Sequence, residues 1–216
     1  VDSEVASPTR EFFQRHPLLV AFDLLGYQVT IERDGTQVSG RIVEAEAYAG
    51  PEDAASHAGR YRAGTAALAS LPGLLYMYRS YGIHTMWNIV AHEPNQSGAV
   101  LIRAVEPTAG EAVMRERRGP MAKRLVSGPG SVCQALGLRL SDDGADLLAI
   151  DWLRLNARSR CDVVLAGPRI GISRGVNARW RVFDGRSVCV SAHRHGVPVD
   201  RDMMGALIAE LGESLS

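Results

Sequence analysis

The chain has 216 residues, 46% of them hydrophobic and 22% charged, and its 24 basic side chains balance 24 acidic ones. That size supports one large or two small domains with a substantial core, and no apolar run approaches the ~18–20 residues needed to cross a bilayer. Cys133, Cys161 and Cys189 are widely spaced with no Cys-x-x-Cys pair, which points to buried thiols in a reducing compartment rather than a disulfide framework.

Val1 opens the chain where Met is usual, leaving a trimmed N-terminus or a lost targeting segment open; residues 1–13 read as flexible or peripheral. A helix is predicted over Gln14–Leu25, interrupted only by Asp23. Tyr27–Arg33 and Thr36–Tyr48 read as a hairpin around Asp34-Gly35. A turn at Gly50-Pro51-Glu52-Asp53 leads into a polar, Ala-rich loop that carries His57. Leu74–Arg79 and Ile83–Ala91 form a second hairpin with Ser80-Tyr81-Gly82 at its tip, and Ala99–Val105 is a further strand. Helices are predicted at Gly110–Arg117 and Ser131–Leu136. Short strands follow near Asp151–Asn156, Val163–Ala166, Arg179–Phe183 and Ser187–Ser191, the last two joined at Asp184-Gly185, and Arg201–Leu215 closes the chain as a helix. With no internal repeat, low-complexity tract or long linker, residues 1–216 read as one mixed, mostly antiparallel domain.

Charge is unevenly spread. Residues 1–60 carry −5, residues 103–124 +3 and residues 154–186 +6, so a neutral protein can still offer a basic face to phosphates. Arg supplies all but one of the basic side chains, which suits bidentate phosphate contacts, although genome composition produces the same bias.

Glu44, Glu46 and Tyr48 fall on one strand face opposite Val43, Ala45 and Ala47, placing a carboxylate beside a planar ring. An edge strand with its polar face in water has the same pattern. Tyr76 and Tyr78 alternate onto one face, either as packing or as a stacking surface. Tyr81 stands at a hairpin tip, where a ring suits a wedge into a nucleic-acid stack or an interface anchor. Asn88 and Arg103 are polar side chains in apolar strands and need partners or a ligand. Ser127-Gly128-Pro129-Gly130 opens a helix whose free N–H groups suit a phosphate or a plain cap. Cys189, His193 and His195 lack a fourth ligand at a recognisable spacing, so no metal site is expected.

Several stretches together resemble the alkyladenine (3-methyladenine) DNA glycosylase family of vertebrates and many bacteria. They are Arg41 through His57, Pro72 through Gly82, Asn88, Val100 through Pro107, Ser127-Gly128-Pro129 with Cys133 through Leu136, and Gly167-Pro168-Arg169-Ile170-Gly171. The resemblance covers roughly residues 15–192 and implies an α+β fold: a single compact domain with a curved, mostly antiparallel sheet and surrounding helices. It implies a monofunctional enzyme that flips alkylated or deaminated purines out of duplex DNA for base excision repair. Glu46 would be the general base activating water against C1′, and Arg103 would hold Glu46 and the water. Tyr48 and His57 would sandwich the base with Tyr78, the His57 backbone N–H donating to it, and Asn88 would crowd the exocyclic amine of guanine. Tyr81 would fill the gap left in the duplex. Tyr76, Ser127, Gly128, Arg169 and Ile170 would contact DNA or the pocket edge.

The implied partner is double-stranded DNA containing damaged purines, bound by a monomer with no cofactor and no membrane association. The implied location is bacterial cytoplasm at the nucleoid, or the nucleus in a eukaryote. Two departures stand out: the stretch Arg62–Leu71 is Ala-rich where the family carries larger residues, and Trp87 beside Asn88 is bulky. Among rival readings, a non-catalytic module that captures flipped bases differs in surviving Glu46→Gln. A glycoside hydrolase on Glu44 and Glu46 places both carboxylates on one strand, ~6.5–7 Å apart, rather than facing across a bond. An RNA-binding sheet fits the tyrosines but not the acidic face.

Overall fold

The computed structural model describes residues 7–58, 62–159, 161–191 and 195–213. Two short helices come first, α1 (Arg10–Phe13) and α2 (Pro17–Leu24). The helix expected from Gln14 starts only at Pro17, because Pro17 cannot donate into an incoming helix but suits a first turn, and α1 lies before the expected range. His16 caps α2, its Nδ1 accepting from the Leu18 N–H at 3.2 Å. Phe13 is buried in the main core, so the segment expected to be peripheral is anchored at its end.

β1 (Tyr27–Arg33) and β2 (Thr36–Tyr48) form the expected hairpin, with positive φ at both Asp34 and Gly35 as its two-residue turn requires. There follow α3 (Arg62–Leu68), β3 (Leu75–Ser80), β4 (His84–Val90), β5 (Ala99–Ala109), α4 (Glu111–Arg118), α5 (Pro129–Leu136) and a 3-10 turn at Leu140–Asp142. The chain then adds β6 (Leu153–Arg158), β7 (Val164–Gly167), β8 (Arg181–Asp184), β9 (Val197–Pro198) and α6 (Met204–Glu213). The strands run β3-β4-β5-β2-β8-β7-β9, with β1 on β2 and β6 on β1, and the pairs among the described residues are antiparallel. The class is α+β with a mostly antiparallel sheet, as the sequence indicates.

β2 is the trunk. One edge pairs with β5 along nearly its whole length. The other pairs first with β1, through Thr36–Arg41, and then with β8, through Glu44–Glu46. The register against β5 slips between Ile42 and Glu44, where the partner changes. A bulge shifts the alternation of side chains, so Val43 packs with Ala104, Phe183 and Val190 in a small second cluster while Ala45 and Ala47 join the main core. The expected common face for Val43, Ala45 and Ala47 is corrected accordingly.

Beyond the bulge the period of two is strict. Ala45, Ala47, Leu75, Met77, Trp87, Ile89, Val100 and Ile102 all enter the main core, which α2, α5 and α6 cover with Leu18, Leu24, Val132, Leu136, Met204 and Leu207. The alternate residues Tyr76, Asn88, Leu101 and Glu46 form a single row across β3, β4, β5 and β2 on the opposite face. Gly98 lets this sheet close against α2, since a Cβ there would meet Pro17 and the Tyr48 carbonyl oxygen at 2.6 and 2.8 Å.

Two further expectations are corrected. Arg62–Leu68 is helical rather than loop, in keeping with its alanines. Ser187–Ser191 is not a strand, because its backbone donors are taken elsewhere: Cys189 N–H donates to Ser187 Oγ and Ser191 N–H to the Glu44 carboxylate, which leaves no ladder to form. Among the described residues no helix is long and apolar enough to cross a membrane.

His16 couples this fold to pH. Burial pushes its imidazole down to about 4 from an ordinary 6.5, and the cap needs an unprotonated Nδ1. The folded value lies below the unfolded one, so this stabilisation is complete above pH 6.5 and is lost as pH falls toward 4. It amounts to up to about 3 kcal/mol before solvent screening is discounted. In denaturant titrations, His16→Asn keeps a capping acceptor and should flatten the stability profile between pH 6.5 and 4.

Candidate active site

The alternate face of the sheet forms the floor of a cavity of about 500 Å³. Tyr76 and Tyr78 from β3, Met86 and Asn88 from β4, Leu101 and Arg103 from β5, and Tyr48 at the end of β2 line it, all two residues apart along their strands. Ala55 and His57 close one side, and Ile170, Gly171, Ile172 and Ser173 close another. Tyr81 and Pro129 stand at its margin.

Glu46 is 0% exposed and lies behind the lining residues that hold it. Its Oε2 accepts from the Tyr48 hydroxyl at 2.8 Å and from Arg103 Nη1 at 3.0 Å, and its Oε1 accepts from the Ile170 N–H at 2.7 Å. A carboxylate offers about four acceptor positions, so these donors leave one lone pair, on Oε1. Burial pushes the Tyr48 phenol well above its ordinary value and the Glu46 charge adds to it, so Tyr48 remains a donor to Glu46 at neutral pH. Burial works against the Arg103 charge, but Glu46 and Glu44 outweigh it and raise its pKa.

The Tyr48 ring is backed by the Arg169 guanidinium, 4.8 Å from its centroid, and also lines the cavity. Arg169 itself was expected to touch DNA or the pocket edge. It is instead buried in a bidentate pair with Asp53, at 2.5 and 2.9 Å, and donates to the Ala47 carbonyl oxygen at 3.0 Å, so the reading as a ligand contact is corrected. Asp53 also accepts from the Ala49 and Ala55 N–H groups. It therefore folds the loop that delivers His57.

His57 Nδ1 shares a hydrogen bond with the Tyr76 hydroxyl at 2.9 Å, and its ring meets Tyr78 edge-on at 4.5 Å. Tyr76 thus acts on the site by holding His57. Burial pushes both Tyr76 and Tyr78 up to about 12, keeping each phenol neutral. Asn88 is buried and donates from Nδ2 to the Tyr76 carbonyl oxygen at 3.0 Å, which orients its amide at the cavity wall.

Tyr81 is 87% exposed and occupies the left-handed region with φ of 50°, followed by Gly82 at 71°. That pair forms the centre of the β-turn Ser80–Ile83, closed by the Ile83 N–H donating to the Ser80 carbonyl oxygen at 3.1 Å, within the three-residue connection between β3 and β4. A tyrosine there carries a cost of about 1 kcal/mol, and it projects beside Ile83, which is also exposed. Gly128 N–H donates to the Arg103 carbonyl oxygen at 2.9 Å, so the turn at Ser127-Gly128 supports the strand that carries Arg103. Ser127 lines a separate cavity of about 500 Å³ with Lys123, Arg124, Val188 and Val190 rather than the one over Glu46.

Much of the positive charge counted in residues 154–186 is internal or neutralised: Arg154, Arg169, Arg181 and Arg186 pair with Glu32, Asp53, Glu44 and Asp162. Arg174, Lys123 and Arg124 are exposed. His193, considered with Cys189 and His195, lies outside the described residues. Glu44, Arg181, Ser191 and Asp53 are the parts of the site that sequence reasoning did not assign. Arg181, flanked by Trp180 and Val182-Phe183, carried the same signal as Arg103, a charge in an apolar strand.

Comparison with known proteins shows the family to which the chain is similar. A profile of the methylpurine-DNA glycosylase family matches residues 11–187. A protein of Rhodopseudomonas palustris (strain BisB18) is 43% identical over 173 residues, covering 80% of this chain and 84% of its own. One from Chlorobaculum tepidum is 41% identical over 199 residues, covering 90% and 95%, and one from Rhizobium etli 44% over 176 residues, covering 80% and 82%. All three carry 3-methyladenine DNA glycosylase as a provisional name.

The Asp53–Arg169 pair yields a test. Asp53→Asn leaves a buried guanidinium unpaired and should lower unfolding stability by about 3–5 kcal/mol. Adding Arg169→Met removes the orphaned charge, and denaturant titration should show most of that loss recovered.

Proposed function

The chain belongs to the methylpurine-DNA glycosylase family, hydrolases of N-glycosyl bonds that act on alkylated purines in DNA repair, and on that premise we propose how its cavity does so. The enzyme binds duplex DNA as a monomer and flips out 3-methyladenine, 7-methylguanine, hypoxanthine or ethenoadenine, since the reacting bond is inaccessible in stacked duplex. The observation that carries this reading is the convergence of Tyr48, Arg103 and the Ile170 N–H on one buried carboxylate, Glu46, directly behind an aromatic-lined cavity.

Tyr48, His57 and Tyr78 take the base. An alkylated purine with a formal positive charge gains a cation–π contribution of ~0.5–2 kcal/mol per aromatic ring. Asn88, fixed through Tyr76, crowds the exocyclic amine of guanine. Glu46 uses its remaining lone pair to take a proton from water as the oxygen bonds to C1′. The glycosidic electron pair leaves with the base. Charge developing on the sugar is stabilised by the same ionised carboxylate. Tyr81 fills the space vacated in the duplex, consistent with its exposure on a strained turn. Lys123, the single lysine of the chain, lines the other cavity, which supports a monofunctional reaction without a Schiff base.

Single-turnover release of hypoxanthine, ethenoadenine and 7-methylguanine from duplex tests this. Glu46→Gln should slow release by about 10²–10⁴-fold while damaged duplex is still bound. Binding without release by the wild type would leave a base-capturing module, and equal release by both proteins would remove Glu46 from the centre of the reaction. Tyr81→Ala should weaken excision from duplex about tenfold or more, as loss of one inserted ring implies, and leave excision from a single-stranded oligonucleotide unchanged.

A further inference from the structure

Glu44 is a second carboxylate, two residues before Glu46, and the mechanism above does not use it. It is 0% exposed. Ser191 donates to it from both its N–H and its hydroxyl, and Arg181 Nη1 donates at 2.9 Å. Arg103, the guanidinium that donates to Glu46, faces Glu44 with its Nε at 3.6 Å from Oε1. That separation is too long for a hydrogen bond, and Arg103 Nε is a buried donor without a hydrogen-bond partner.

The contacts close a ring. Arg103 joins Glu46 to Glu44, and Arg181 joins Glu44 to the Pro168 carbonyl oxygen. Ile170, two residues on, donates back to Glu46. Glu44, Glu46, Arg103 and Arg181 balance in charge while Glu46 is ionised. When Glu46 takes the proton from water, Arg103 loses its bonded anion while remaining buried, and an unpaired buried cation is strongly unfavourable. Glu44 is the anion that remains beside it.

We propose, resting on the reading of Glu46 as general base, that Glu44 is a positioning residue: it shares Arg103 with Glu46 and retains the guanidinium when Glu46 becomes protonated. The Arg103 Nε, unbonded at 3.6 Å, is the atom that closes on Glu44 during that step. Without the Glu44 charge the ring carries an excess positive charge even before the reaction, and proton transfer to Glu46 increases it. The charged and titratable groups that face Glu46 are Glu44 and Tyr48 on β2, Arg103 on β5, Arg181 on β8, Tyr78 on β3 and Arg169 after β7. Of these, only Glu44 adds negative charge at neutral pH. Its loss leaves the ring with an excess of positive charge, which opposes the arrival of a proton at Glu46.

The experiment is a pH profile of single-turnover release of 7-methylguanine from duplex by the wild type, Glu44→Gln and Glu44→Asp, with duplex Kd and melting temperature measured for each. Glu44→Gln should lower the plateau rate about 10- to 100-fold, as loss of a partner behind a catalytic group does elsewhere. It should also move the acid limb to lower pH, with Kd unchanged. Glu44→Asp, which restores the charge, should return the acid limb to its wild-type position. An unchanged rate and limb in Glu44→Gln overturns the proposal. A parallel loss of binding and rate with an unmoved limb also overturns it, because Glu44 would then be purely structural. If Glu44→Gln does not fold, Ser191→Ala loosens Glu44 without changing charge. A rate loss at constant Kd then supports the proposal, and an unchanged rate overturns it. Absence of release by the wild type itself overturns the glycosylase reading and this proposal together, whereas a working wild type with an equally active Glu44→Gln overturns this one alone.

Discussion

Two carboxylates buried side by side in the middle of a sheet are the constraint around which this protein is organised. An unpaired carboxylate in the interior costs several kcal/mol, so Glu44 and Glu46 on β2 require cations from the strands on either side. Arg103 arrives on β5 and Arg181 on β8, which requires that these strands flank the second half of β2 and displaces β1 to the first half. Arg181 then brings in the segment after β7 through Pro168, and the Ile170 N–H adds the third donor to Glu46. The groups that satisfy the buried charges are thus the same groups that define the site. Assembling the fold assembles the site, and the donors around Glu46 are held in place before any ligand arrives.

The cavity combines a floor set by the sheet with walls set by loops. Its floor is one face of a sheet whose other face is packed into the main core, so Tyr48, Tyr78, Asn88 and Arg103 are set by strand register rather than by loop conformation. His57 is different: it sits on a loop, and two devices hold it there. Asp53 gathers the Ala49 and Ala55 N–H groups and Arg169, and Tyr76 bonds the imidazole. Arg169 links loop and floor, since it pairs with Asp53 while backing the Tyr48 ring. Tyr81, by contrast, is held by its backbone turn alone and is left fully presented to solvent.

Sequence patterns were legible wherever a local rule decided the outcome. The Tyr27–Tyr48 hairpin follows from two alternating runs around Asp34-Gly35, and the β3–β4 hairpin from tyrosines two apart and a terminal Gly82. The first has the expected bounds and pairing, and the second has the expected pairing with its ends shifted by one residue. Expectations failed where a distant partner decided. Ser187–Ser191 has strand-like residues, but the Glu44 carboxylate captures the Ser191 N–H and hydroxyl. Arg169 has the composition of a phosphate contact, but Asp53, 116 residues earlier, neutralises it in the interior. Val43 has the spacing of Ala45 and Ala47, but the bulge at the branch of the sheet changes its face.

By itself, then, the sequence determined what could be read from a period of two and from turn chemistry: the main strands, the tyrosines on one face, an acid beside an aromatic ring, and arginines in apolar strands that demanded anions. Only the tertiary structure decided which anion each arginine would meet. Ion pairing in the interior depends on distance through space, and residues as far apart as Glu44 and Arg181 are neighbours only after β2 has chosen β8 over β1. The same holds for the exposure of the basic stretches, because a positive charge counted along the chain says nothing about whether folding will place a carboxylate beside it.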